Sequence, residues 1–213
     1  MVMWIDLLRP DSEQLAELAR ILELAPTTIE DVVAPEERAK VTRHSDHLFF
    51  IVYTAHLTSA TAADAAPAPK SGLSGGRIVA GRISGIVLPR VLVTIRLDDR
   101  VDMAPIIARW QENSDLLVAG SGALLHGLLD AVVDGHFETI QALDTEVEEL
   151  EDELFAQQRT GQRFVQRVYR FRKDLVTLRR IVLPMREVVN AILRHRGRDG
   201  SNLDHWYDDL YDH

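Results

Sequence analysis

Side chains able to hold a cation are abundant in this sequence, while side chains able to attack a bond are not arranged to do so. Asp and Glu number 33 against 24 Lys and Arg, a formal charge of -9, and there is no cysteine. Thiolate zinc sites, disulfides and cysteine nucleophiles are thereby excluded. The histidines do not build a centre by their spacing. His44 and His47 flank Asp46 at the start of an expected strand, where positions three apart point to opposite faces, so both read as solvated side chains. His126 and His136 lie on a helical run, and neither has a partner at the three- or four-residue spacing of a helical metal pair. Gly72, Gly75 and Gly76 sit in a polar loop without a strand-to-helix junction, and Gly120-Ser121-Gly122 lacks the lysine of a nucleotide loop. With no nucleophile arrangement, the chain is not expected to be an enzyme. Carboxylates strung along a helix remain, and these bind divalent cations only diffusely unless ligands converge from elsewhere.

That helix dominates the sequence. Leu125, Leu129, Val133, Phe137, Ile140, Leu143, Val147, Leu150 and Leu154 recur at spacings of three and four from Ser121 to Ala156, a stripe on a helix roughly 50 Å long. A second run, Gln162 to Arg196, carries Arg163, Arg167, Arg170, Arg172, Lys173, Arg179, Arg180 and Arg186 around its own apolar stripe, with Pro184 expected to kink it. Opposite charge on two helices joined near Thr160-Gly161 predicts an antiparallel hairpin in which Asp144, Glu148, Glu151 and neighbours face the arginines. Exposed pairs of this kind contribute about 0 to 1 kcal/mol each, so they select the partner more than they stabilise it.

The N-terminal part reads as the body from which the hairpin extends. Met3 to Leu7 is an expected strand, and Asp11 with Gln14 a capping box for a helix buried through Leu15, Leu18, Ala19 and Leu22. Thr27 with Glu30 reads as a second capping box. His47 to Leu57 is the strongest strand, and Ser59 to Gly76 is an expected loop, rich in small and polar residues. Arg82 to Leu88 and Val91 to Arg96 form an expected hairpin about Pro89-Arg90, and Asp102 to Glu112 a helix. Strands mixed with helices, followed only by helices, predict an α/β body over residues 1–115, a long helical hairpin over 116–200 and a further helix beginning within 201–213. The tail resumes a helical pattern and stops without a C-cap, glycine or proline, which reads as a helix cut short.

With 46% hydrophobic and 27% charged residues over 213 positions, the composition is that of an ordinary folded chain. The acidic balance argues against nucleic acid as a partner. No charged leader with an apolar core opens the sequence, and no apolar run approaches the ~18 to 20 residues of a membrane span.

Seven segments together carry a family resemblance: Trp4-Ile5-Asp6-Leu7, Ile29-Glu30-Asp31, Lys40-Val41 before Leu48-Phe49-Phe50-Ile51-Val52, Leu128 to Asp134, Leu150-Glu151, Leu178-Arg179-Arg180 and Pro184 to Val188. In this order and at similar spacing they resemble the N-terminal cytosolic domain of CorA-type magnesium transporters, and Asp209-Leu210-Tyr211-Asp212-His213 resembles the start of that family's stalk helix. The resemblance implies a mixed sheet flanked by helices, an α/β/α sandwich of the α+β or α/β class, followed by an antiparallel helical hairpin and the truncated start of the stalk. It implies a homopentamer on the cytoplasmic face of the cell membrane, joined to its own transmembrane helices, which senses Mg2+ or another divalent cation (Co2+ or Zn2+). By position, the family's interface carboxylates correspond to Glu30, Asp31, Asp130 and Asp209. Two departures stand out: Ala39 occupies a position where proline is usual, and the loop from Ser59 to Gly76 is long. The alternatives are a zinc- or cobalt-transporting branch of the superfamily and a soluble scaffold whose hairpin binds a partner.

Overall fold

β-Branched and aromatic side chains alternate along Leu48–Leu57, and both of the faces they define are covered. Phe49 and Ile51 point into one apolar layer, Phe50 and Val52 into another, and all four are fully buried. In this computed structural model, which describes residues 2–34, 37–58, 76–156, 161–196 and 204–212, that strand (β3) belongs to a five-stranded mixed sheet. The others are β1 (Met3–Leu8), β2 (Lys40–Arg43), β4 (Ile78–Leu88) and β5 (Val91–Arg96), in the order β1-β5-β4-β3-β2. β1 runs parallel to β5, from Met3 opposite Val91 to Leu8 opposite Arg96, and the remaining pairs are antiparallel. β4 turns into β5 through Pro89-Arg90, with Leu88 opposite Val91, as the sequence predicts. β2 was not legible. It is four residues long, carries a charge at each end and is extended only because it pairs along the edge of β3.

Helices α1 (Ser12–Ile21) and α2 (Pro26–Val33) cover one face of the sheet, burying Leu15, Leu18 and Val32, with Leu24 of the connection between them, against Phe49, Ile51, Val93 and Ile95. The opposite face carries α3 (Ala104–Glu112), the first half of α4 (Ser121–Phe155), the end of α5 (Gln162–Arg196) and α6 (Asp204–Asp212). Leu128, Leu129, Val132, Val188 and Ile192 form that layer with Phe50, Val52, Ile83 and Leu92. The α/β/α sandwich and the two 35-residue helices are therefore present as expected. Most of the loop expected over Ser59 to Gly76 lies outside the described residues.

Three local expectations are corrected. The capping box at Asp11 forms, with Asp11 Oδ1 accepting from the Gln14 amide at 2.8 Å. The one at Thr27 does not. Helix α2 starts earlier, with Ala25 at its N-cap and no side-chain cap, because Pro26 presets the helical φ at the first position and has no amide to satisfy. The hairpin seam uses Glu146, Glu149 and Glu153 in place of Asp144, Glu148 and Glu151. Arg167 reaches Glu149 at 2.7 Å and Glu153 at 3.1 Å, whereas Asp144, Glu148 and Glu151 are exposed. Burial of Leu143 and Leu150 fixes the rotation of α4, and the other three carboxylates fall on the solvent side. His44 and His47, finally, lie in the β2–β3 turn and not along a strand, and His47 is buried where a solvated side chain is expected. Their rings stack at 4.4 Å.

Helix α5 is unbroken through Pro184. Among the described residues no helix is long and apolar enough to cross a membrane.

Candidate functional site

The four carboxylates singled out by resemblance are held by three helices in two layers. Glu30 and Asp31 lie on α2. Glu30 is exposed, and with the N-cap at Ala25 it has no capping duty. Asp31 is half-buried, and its Oδ1 receives the Lys40 ammonium at 3.1 Å. Lys40 also reaches Glu37 at 3.2 Å, so β2 is fastened to the end of α2 by one ammonium between two carboxylates. Arg82 adds to this corner by donating to the Asp31 carbonyl at 2.7 Å and to that of Ala34, and burial lowers its pKa.

Asp130 lies on α4, on the other side of the sheet. Arg109 of α3 pairs with it at 2.9 Å and also with Asp134, clamping α3 to α4. Asp209 is exposed on α6. Helix α6 is seated by two fully covered side chains, Tyr207 and Leu210. Tyr207 Oη donates to the Gly122 carbonyl at 2.8 Å, and His126 lies edge-on to the Tyr207 ring at 5.1 Å with its Nε2 3.0 Å from the Trp206 carbonyl. His126 thus has a structural task, as does His136, whose Nε2 meets the Tyr53 carbonyl at 2.7 Å.

Within one chain the structure does not bring the four carboxylates together. The α2 pair stands on one face of the sheet, and Asp130 and Asp209 belong to the layer on the other. Among the described residues no three His, Asp or Glu side chains converge as a metal site would require. Oxygen donors without sulfur suit a hard divalent ion. Asp31 and Asp130 each already hold a protein cation, which such an ion would have to displace.

The strongest electrostatic arrangement was not foreseen. Asp174, fully buried on α5, accepts from the Arg77 amide at 2.8 Å, from Nε at 2.9 Å and from Nη2 at 2.7 Å, and Arg77 also pairs with Glu146 of α4. Burial opposes the charge on Arg77, but the hydrogen bonds to Glu146 and Asp174 outweigh it and its pKa is raised. Gly76 stands at φ +68°, and a Cβ there would overlap Asp174 Oδ1. One arginine at the head of β4 therefore ties the sheet to both helices of the hairpin. A signal did exist: Asp174 is the sole carboxylate between Gln162 and Pro184.

A turn near the opposite end of β3 holds the remaining polar group. Asp46 Oδ1 meets His47 Nδ1 at 2.8 Å, which lowers the Asp46 pKa, while His47 Nε2 is buried without a partner among the described residues. The turn borders a cavity of ≈ 240 Å³ between Pro89, the start of α4 and Ile192.

This architecture has known counterparts. It superposes on the soluble domain of CorA from Methanocaldococcus jannaschii with a TM-score of 0.73 at 20% identity, over 98% of this chain and 77% of that one. YfjQ of Bacillus subtilis (strain 168), described as a metal ion transporter, is 22% identical over 211 residues, which are 99% of this chain and 60% of that protein. The cobalt/magnesium transport protein CorA of Thermotoga maritima is 37% identical over 71 residues, 33% of this chain and 20% of its own length. The chain thus spans about 60% of the relative that it matches end to end. The model of the CorA-like Mg2+ transporter family matches residues 1–213, and the chain belongs to that family.

Proposed function

We propose that this chain is the cytosolic regulatory part of a CorA-type divalent cation channel, which senses intracellular Mg2+ through carboxylates at the boundaries between copies and gates the pore. In this reading it works as a homopentamer on the cytoplasmic face of the cell membrane, continuous with its own transmembrane helices. Residues 1–115 form the body, 116–200 the lever and 201–213 the start of the stalk. The transported ion is substrate, while the sensed ion is a ligand of the boundary.

The observation that supports this reading is the division of the four carboxylates between opposite faces of one sheet. Carboxylates so placed meet only across two copies, with Glu30 and Asp31 from one and Asp130 and Asp209 from its neighbour. Two carboxylates facing each other at 4 Å repel by about 1 kcal/mol in water and by up to ~4 kcal/mol at an effective dielectric of 20. A Mg2+ ion, retaining much of its water, removes that repulsion and favours the closed boundary by its differential affinity for it. Lys40 and Arg109 would hold Asp31 and Asp130 when no ion is bound, keeping the open state free of bare half-buried charge.

Thermal stability of the full-length protein across a Mg2+ titration tests this directly. An ion at a hundred times its Kd adds about 2.7 kcal/mol, and the Asp31→Ala/Asp209→Ala variant should lose most of that gain. If the variant is stabilised by Mg2+ as much as the parent, these residues are not the sensor.

A further inference from the structure

We infer that the two outer edges of the helical hairpin are the surfaces through which neighbouring copies of this chain dock on each other, α4 of one copy against α5 of the next. This rests on the reading that the protein assembles from identical copies, and it names the contact that the hairpin makes.

Residues on an α-helix advance by about 100° each. On α4, Phe137, Ile140, Asp144, Glu148, Glu151 and Phe155 therefore lie within one narrow strip, and all six are exposed. The strip is on the far side of α4 from Glu146, Glu149 and Glu153, which are the side chains that face Arg167. On α5, Val165, Tyr169, Arg172, Val176, Arg179 and Leu183 form a second strip, likewise wholly exposed. This one is opposite the buried Asp174, Thr177 and Ile181. The hairpin thus has two outward edges facing in opposite directions.

The edges match each other. In each strip the first and last residues stand 18 positions apart, about 27 Å at 1.5 Å per residue. Each begins and ends on large apolar side chains, with Phe137 at 52% and Phe155 at 77% exposure on α4, and Val165 at 62% and Leu183 at 57% on α5. The charge between those ends is wholly acidic on α4 and wholly basic on α5. Among the described residues none of Asp144, Glu148, Glu151, Arg172 and Arg179 has an ion-pair partner within its own chain. Large exposed apolar groups set among unpaired charges of one sign mark an interaction surface, and complementary charge selects the partner and its register. Because a chain cannot fold its two outer edges onto each other, each is satisfied by the opposite edge of another copy. A contact between different surfaces on identical chains is heterologous and closes into a ring when its rotation allows.

Two charge-reversed variants of the full-length protein test this, Glu148→Arg/Glu151→Arg and Arg172→Glu/Arg179→Glu. Their mass is measured in solution at low and high salt, with circular dichroism confirming the helix content. The parent should associate in a salt-sensitive way. Each variant alone should associate at least roughly tenfold more weakly, since like charges then face each other. Mixing the two variants should recover much of the association, because each contact between unlike variants again joins opposite charges, and a mixed ring of five copies needs only one contact between like variants. Unaltered association of either variant, or no recovery in the mixture, would overturn the inference. So would loss of binding to anionic vesicles by the α5 variant with unaltered self-association, as that assigns the edge to lipid. Mg2+ stabilisation that persists in both variants while association behaves as the parent's would reject this contact and leave the sensor reading standing.

Discussion

Replacing Asp174 by alanine tests whether the sheet and hairpin are held as one unit by a single arginine. The substitution removes three hydrogen bonds, of 2.7 to 2.9 Å, from Arg77. It leaves a guanidinium that is only 15% exposed with Glu146 as its remaining partner. Removing one member of a buried ion pair costs about 3 to 5 kcal/mol, since the stranded charge keeps its desolvation penalty. With Glu146 still in place the lower end applies, ~3 kcal/mol, out of a total of about 5 to 15 kcal/mol for a typical domain. Divided by a urea m-value of about 2 to 3 kcal/mol/M, this lowers the unfolding midpoint by roughly 1 to 1.5 M. Equilibrium denaturation followed by circular dichroism reads the shift. Adding Arg77→Leu removes that stranded guanidinium but leaves Glu146, 12% exposed, with only Arg167 at 3.9 Å, so it should cost less in the Asp174→Ala background than alone, and a double-mutant cycle should give a coupling of at least ~2 kcal/mol. Gly76→Ala should act in the same direction, as its methyl group overlaps Asp174 Oδ1. A midpoint shift below ~0.3 M for Asp174→Ala, or additive costs for the two substitutions, would show that the triad is not what joins the layers.

What the sequence made legible follows from the range of each signal. The long helices, β3 and the β4–β5 hairpin rest on periodicities that repeat over many residues, and their bounds agree closely with expectation except that β4 begins at Ile78 and not at Arg82. β2 is extended only because β3 offers it an edge, which is a nonlocal cause invisible in Lys40-Val41-Thr42-Arg43 itself. The seam carboxylates were misplaced because an acidic stretch as dense as Asp144 to Glu153 offers several helical phases, and only the burial of Leu143 and Leu150 chooses among them. The same choice has a consequence for assembly, since the residues once expected in the seam became the outer edge. Arg77 and Asp174 stand 97 positions apart, so no window along the chain contains both. Of the candidate site, the identity of Glu30, Asp31, Asp130 and Asp209 came from resemblance, whereas their layers, and the cations beside Asp31 and Asp130, came only with the fold.

Two further outcomes follow from the packing of the second layer. Tyr207→Phe removes the hydrogen bond to the Gly122 carbonyl from a buried position, which should cost about 1 kcal/mol. Hydrogen exchange of the α6 amides should speed up accordingly, and unaltered exchange would mean that α6 is seated by its apolar contacts alone. The pH dependence of stability should be governed in part by His136. Burial lowers its pKa, and the Nε2 contact with the Tyr53 carbonyl opposes this only partly. A carbonyl is purely an acceptor, so Nε2 carries the proton in the neutral ring. In the unfolded chain the imidazole titrates near its ordinary value of about 6.5, and below that pH the unfolded state binds more protons than the folded state. Stability is then intact above about 6.5 and falls as the pH drops from there through the lower folded value. Denaturation midpoints at neutral and acidic pH should show this loss in the parent and a smaller one in His136→Gln, which retains a donor toward Tyr53 without a titrating group. If both chains lose the same stability on acidification, the buried imidazole is not the group that charges on unfolding.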